Sequence, residues 1–167
     1  MICKKCVSVR PSTEKDAMSL ARTMRKQDIM EVEACGSDPV TALLYPLRQE
    51  NAQTFTLFYG KEPVLMGGTV GESIGLARIW LLANDKAFTK PMKLALLSKK
   101  WVDLIHKPYE ILYNYVWIDN KKAVKLLKHL ECRFDNETVK RKNLDFIKFS
   151  RYRCNSSPRI LEYCPSG

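Results

Sequence analysis

The stretch Ile111-Leu-Tyr-Asn-Tyr-Val-Trp-Ile118 constrains this chain more than any other. It is almost wholly apolar, aromatic or β-branched, and it is the strongest strand pattern in the sequence. Helix-period sequence stands on both sides of it. A basic segment runs from Pro91 through Leu94, Leu97, Trp101 and Ile105, and another opens at Asn120 and turns Ala123, Leu126, Leu127 and Leu130 inward. A strand flanked in this way belongs to a sheet that carries helices on its faces.

The rest of the chain extends that pattern. Val7-Ser8-Val9 alternates like a half-buried strand and stops at Arg10-Pro11. Thr13 and Asp16 stand where a capping box would place them. Ala17, Leu20, Ala21, Met24, Ile29 and Val32 then predict one long amphipathic helix, ended by Gly36. Asp38-Pro39 caps a second helix that stops near Pro46. Thr54–Tyr59 and Val64–Val70 flank Gly60-Lys-Glu-Pro63 as a hairpin, and Gly67-Gly68 point to a bulge or a close backbone approach. Leu76–Leu82 reads as a strand buried on both faces. Two short strands, around Phe134 and Phe146–Phe149, close the fold. The order β-α-α-β-β-β-α-β-α-β-β implies an α/β (α+β) class with a mixed sheet.

At 167 residues the chain is expected to form a single domain, with a core over about 6–151 and an irregular tail over 152–167. Its 46% hydrophobic content can fill such a core. No window approaches the roughly 18 apolar residues of a membrane-spanning helix, and Met1–Cys6 has no apolar core of a signal peptide. The expected setting is therefore intracellular, where free thiols are the default for the six cysteines. Cys3, Cys6, Cys154 and Cys164 are a conceivable thiolate quartet, but the second pair is spaced far beyond the usual zinc-ligand interval, so no metal is expected. Cys35 reads as a buried thiol, and His106 and His129 as surface residues.

Val9-Arg10-Pro11 with Asp16, the hairpin ending in Met66-Gly67-Gly68, and Tyr115-Val-Trp-Ile-Asp-Asn120 with Ala123 together resemble the GNAT acetyltransferase superfamily, over roughly residues 6–151. The resemblance implies a mostly antiparallel central sheet with helices on both faces. Tyr109–Asn120, Leu126-Leu-Lys-His-Leu and Phe134 look much like a small group of internal virion proteins of short-tailed bacteriophages, which are associated with virion assembly or genome delivery.

Two family requirements are not met. The pyrophosphate cradle needs glycines whose backbone N–H groups approach phosphates at a helix N-terminus. Here Pro91 and Lys93 fall at those positions. A tyrosine seven residues after the helix-opening asparagine often protonates the departing thiolate; counting from Asn120 gives Leu127. Tyr113, Tyr115 and Cys132 are substitutes by type, each read as a core or cleft-wall residue, and Glu131 replaces a family glycine. If coenzyme A binding survives, the resemblance assigns it to Leu81, Leu82, Lys86, Lys90, Lys93 and Asn120.

Net charge is +10, which favours nucleic acid, an acidic partner or an anionic ligand over none. Lys121, Lys122, Lys125 and Lys128 fall largely along one helix face, and Lys140-Arg141-Lys142 is placed in a loop. No aromatic residues are interleaved for base stacking, so only non-specific nucleic-acid contact is implied. The preferred reading is a phage protein of GNAT fold with a degenerate coenzyme site and no cofactor. It would act in virion assembly or protein binding, in the host-cell cytoplasm or the virion. A divergent acetyl-CoA-dependent N-acetyltransferase and a non-specific DNA-binding accessory protein are the alternatives.

Overall fold

A computed structural model describes residues 6–153. Seven strands form one sheet in the order β1-β2-β3-β4-β5-β7-β6, built from β1 (Val7–Pro11), β2 (Ala52–Tyr59), β3 (Glu62–Ser73), β4 (Leu76–Ala83), β5 (Ile111–Trp117), β6 (Arg133–Arg141) and β7 (Leu144–Tyr152). Every neighbouring pair is antiparallel except β4 and β5. Helices α1 (Glu14–Ala21), α2 (Lys26–Ala34) and α3 (Pro39–Leu47) cover one face; α4 (Pro91–His106) and α5 (Lys121–His129) cover the other. This is the mixed, mostly antiparallel sheet with two helical layers that the sequence implies.

Each layer has its own core. Leu20, Leu43 and Met66 are fully buried under α1–α3. Leu94, Val102, Ile105, Leu112 and Leu126 are buried between α4, α5 and the sheet. Burying each such side chain stabilises the fold by roughly 1.5–3 kcal/mol. The capping box forms as expected. Thr13 Oγ1 accepts from the Asp16 N–H, Asp16 Oδ2 accepts from the Thr13 N–H at 2.9 Å, and Arg10 grips the same carboxylate with two 2.8 Å bonds.

Several details differ from the sequence reading. The single helix expected from residue 14 to Gly36 is two, because the end of β4 competes for its backbone. Met24 makes an isolated bridge with Asn84, the Arg25 N–H donates to the Ala83 carbonyl at 3.0 Å, and Arg25 is extended at ψ 151°. Gly67 and Gly68 carry no bulge; they are the close approach. A Cβ at Gly68 would stand 1.8 Å from the Gln53 carbonyl oxygen, inside any tolerable contact. β4 is not buried on both faces along its length, since Arg78 is exposed. β6 and β7 are nine-residue strands, and β6, the outer edge, is mostly exposed, so alternation alone could not show its extent.

Three side chains also change place. Cys35 is exposed, because it caps the end of α2 beside Gly36, whose φ of 81° turns the chain at the surface. His106 is buried: it lies four residues after Val102 on the inward stripe of α4. Lys140 and Arg141 finish β6, and only Lys142 is in the turn.

Candidate functional site in the splay between β4 and β5

The parallel pair β4–β5 is joined only over Leu76–Arg78 and Ile111–Tyr113. Asn114 Nδ2 donates to the Ile79 carbonyl at 2.7 Å as a last rung, and beyond it the strands diverge. A cavity of about 560 Å³ runs through the opening, between Trp80, Tyr45 and Tyr115 on one side and Val102, Leu127 and Phe149 on the other. Such a splay is where an α/β sheet offers a ligand both backbone and side chains.

A network of buried charge crosses it. Arg25, 2% exposed, donates to Asp28 Oδ1 at 2.7 Å and to Asn120 Oδ1 at 2.9 Å. Asp28 Oδ2 accepts from the Ala83 N–H at 2.8 Å. Glu31 Oε1 accepts from Asn120 Nδ2 at 2.9 Å and from the Trp117 N–H at 3.0 Å. The network thus ties α2 to the end of β4, the end of β5 and the start of α5. It replaces with side chains the backbone ladder that divergence removes.

One guanidinium faces two carboxylates. Burial pushes Glu31 up to about 7, and the nearby Asp28 charge adds to the rise against the Asn120 bond. Burial also raises Asp28, opposed by the Arg25 contact. Arg25 Nε and Trp80 Nε1 are buried without a hydrogen-bond partner among the described residues. The turn after β4, a 3₁₀ segment over Asp85–Thr89, lays Phe88 on this cluster. The Arg25 guanidinium lies 4.5 Å from the ring centroid and Lys122 Nζ lies 5.6 Å from it.

Of the six residues assigned to a surviving coenzyme site, Leu81, Leu82 and Asn120 line the cavity. Asn120 is 1% exposed, and its side chain bonds to Arg25, Asp28 and Glu31. The three lysines are elsewhere. Lys86 Nζ pairs with Glu62 at 2.6 Å, Lys90 Nζ lies over the Tyr59 ring at 4.7 Å, and Lys93 stands exposed on α4. Pro91 occupies the first turn of α4, and Lys90 caps it without a side-chain bond.

Leu127 lines the cavity. Tyr115 lines it too, under the Arg141 guanidinium. Tyr113 instead donates its hydroxyl to Glu72 and accepts from Arg78. Cys132 lies outside the lining, and burial pushes its thiol up to about 11. Arg25, Asp28 and Glu31 went unread in the sequence. Asp28 and Glu31, at i, i+3, share one side of α2 with Arg25 at its N-cap, a signal masked by reading the region as an ordinary amphipathic helix.

The two basic clusters do not meet. Arg141 donates to Cys35 Sγ at 3.2 Å and Lys142 Nζ to the Glu33 carbonyl at 2.6 Å, so both are held at the end of α2. Lys121, Lys122, Lys125 and Lys128 belong to α5, in the opposite layer. Among the described residues no group of three or more His, Cys, Asp or Glu could hold a metal, and Cys6 is exposed; Cys3, Cys154 and Cys164 lie outside the described residues.

The strand order, the two helical layers and the β4–β5 splay define a GNAT acetyltransferase fold. Ard1 from Thermoplasma volcanium matches with a TM-score of 0.67 at 17% identity, covering 87% of this chain and 97% of that one. The aminoglycoside acetyltransferase AAC(6')-Ib in complex with coenzyme A matches with a TM-score of 0.62 at 19% identity, covering 89% and 95%. Spermidine N-acetyltransferase from Vibrio cholerae, with CoA and spermine, matches at 0.66 and 12%, covering 87% and 95%. Within that fold, the chain belongs to the family described as "Bacteriophage T7, probable scaffold protein Gp13", which matches residues 53–139. It is 27% identical over 135 residues to the probable scaffold protein gp13 of Escherichia phage T7, covering 78% of this chain and 88% of that protein.

Proposed function

We propose that this chain is a phage assembly protein that uses a GNAT fold as a protein-binding scaffold and has given up coenzyme A. The observation that carries this reading is Asn120. The side chain that the fold would offer a coenzyme is 1% exposed and spent on Arg25, Asp28 and Glu31. Pro91 in place of a cradle glycine and Leu127 in place of a proton donor point the same way. So does the family, one relative of which is described as a probable scaffold protein. Its setting is the host-cell cytoplasm and the assembling virion, and its partners are other phage or host proteins.

Calorimetric titration with acetyl-CoA and with CoA tests the loss of the coenzyme, and no heat of binding is expected at millimolar ligand. Inactivating the gene in its phage tests assembly: particle yield should fall and return when the protein is supplied in trans. Acetyl-CoA binding in the low micromolar range, or an unchanged yield, would overturn the reading.

One observation favours the second reading, a divergent N-acetyltransferase. The cavity through the splay is large, and its walls include Leu81 and Leu82. The same titration separates the two. Non-specific nucleic-acid contact through Lys121, Lys122 and Lys125 predicts affinity that falls steeply with salt. Lys140, Arg141 and Lys142 would contribute little to it, since two of the three are held at α2.

A further inference from the structure

Helix α4 buries Leu94, Val102 and Ile105 against the sheet and turns its aromatic residue inward, Trp101 stacking on Phe55 at 5.2 Å. Its outer side is nevertheless not polar. Met92 is 79% exposed, Leu96 63% and Leu104 49%. At 100° per residue these three fall within about 120° of the helix circumference. Lys93, Lys100 and Lys107 fall inside the same arc. The stripe from Met92 to Leu104 is about 18 Å long at 1.5 Å per residue, roughly three turns of a facing helix.

The free charges on this stripe are positive, and the one acid in the same arc, Asp103, is already engaged. Lys93, Lys100 and Lys107 make no side-chain hydrogen bond or ion pair among the described residues. The single acid of the helix, Asp103, is held by Arg151 and Lys99. Neighbouring α5, in the same layer, has no acidic residue. A solvated helix face needs lysines but not three exposed apolar side chains between them. A phosphate backbone needs cations without the leucines, and base stacking needs aromatics that this face lacks. Membrane-surface helices expose Trp or Phe beside Leu, whereas Trp101 faces the core.

We propose that the outer face of α4, centred on Leu96 and framed by Lys93, Lys100 and Lys107, docks an amphipathic helix of a partner protein whose apolar seam is flanked by Asp and Glu. The assignment rests on the assembly reading and names the surface through which it operates. Leucines would enter the partner's seam, and the free ammonium groups would meet its carboxylates at the rim.

The test uses a short labelled peptide with leucines along one seam and glutamates on both flanks, and a twin with lysines in place of the glutamates. The glutamate peptide should bind the full-length protein, the lysine twin should not, and Leu96→Lys should weaken binding at least about tenfold. Leu96 is exposed, so unfolding of that variant is not expected; circular dichroism checks it, and Lys100→Glu serves as a second variant. Binding by both variants as tight as by the unaltered protein, or binding of neither peptide, overturns the proposal. So does transfer of the effect to vesicles containing anionic phospholipid, to duplex DNA, or to self-association at raised protein concentration. Supply in trans separates the two readings. If gene loss lowers particle yield and Leu96→Lys restores it as fully as the unaltered chain, only the α4 surface falls. If gene loss changes nothing, the assembly reading falls with it.

Discussion

Arg25 and Arg151 are both buried, at 2% and 5% exposure, and their surroundings are opposite. Arg25 sits where β4 and β5 part and meets two carboxylates, Asp28 directly and Glu31 through Asn120. Arg151, on β7, meets a carbonyl, a histidine and one half-exposed carboxylate. Its Nε donates to Leu130 O at 2.8 Å, Nη1 donates to His106 Nδ1 at 2.8 Å, and Nη2 reaches Asp103. The first arginine has too much negative charge around it and the second has little. A guanidinium stays charged in either place, so the neighbours must adjust. Near Arg25 burial pushes the Glu31 carboxyl up to about 7. Near Arg151 burial lowers the basicity of His106, with the Arg151 charge adding to the effect.

The contrast predicts unequal damage on truncation. Arg25→Ala strands Asp28 in the interior, and urea unfolding should show a loss of roughly 3–5 kcal/mol. Arg151→Ala removes charge-assisted bonds but leaves Asp103 able to reach water. Its loss should be smaller, about 1.5–3 kcal/mol. Equal losses at the two sites would break the comparison.

The two ends should also respond oppositely to pH. Glu31 binds its proton more tightly folded than unfolded, so the folded state carries more protons between pH 4.5 and about 7. Its contribution is present below 4.5 and is lost as pH rises through that window. His106 binds its proton less tightly when folded, so its contribution is present above pH 6.5 and is lost as pH falls through its lowered value. Glu31→Gln should therefore flatten the decline between pH 5 and 8 and raise stability at pH 8 by on the order of 2 kcal/mol. An unchanged slope would show that Asp28 or another group carries the proton.

The smallest effect lies beside the Arg151 clamp. Glu131 takes a left-handed φ of 63° at the residue after Leu130, whose carbonyl Arg151 holds. Glu131→Gly should stabilise the protein by about 1 kcal/mol, read from the urea midpoint at constant slope. The exposed 3.6 Å pair with Lys99 that it removes is worth little.

Much of the fold was legible in the sequence because it is written in local patterns. Strand periodicity in Ile111–Ile118, Thr13 and Asp16 as a capping box, Asp38-Pro39 as a helix start, and Gly67-Gly68 as a bulge or a close approach, of which the structure keeps the second, all depend on neighbours along the chain or on one excluded Cβ. The departures from the pattern of the resembled superfamily, Pro91 and Leu127, were equally visible, since each is a question of residue type at a counted position. What the sequence could not show depends on partners far away along the chain. The break at Arg25 follows from backbone groups of Ala83 and Asn84, and the burial of Asn120 in an internal network follows from Arg25, Asp28 and Glu31, about ninety residues before it. Burial of His106 and exposure of Cys35 were likewise decided by packing, one under Arg151 and the other at a helix end on the surface. Local stereochemistry is carried by each short segment, but the pairing of buried charges exists only once the sheet has brought distant segments together and excluded water from between them.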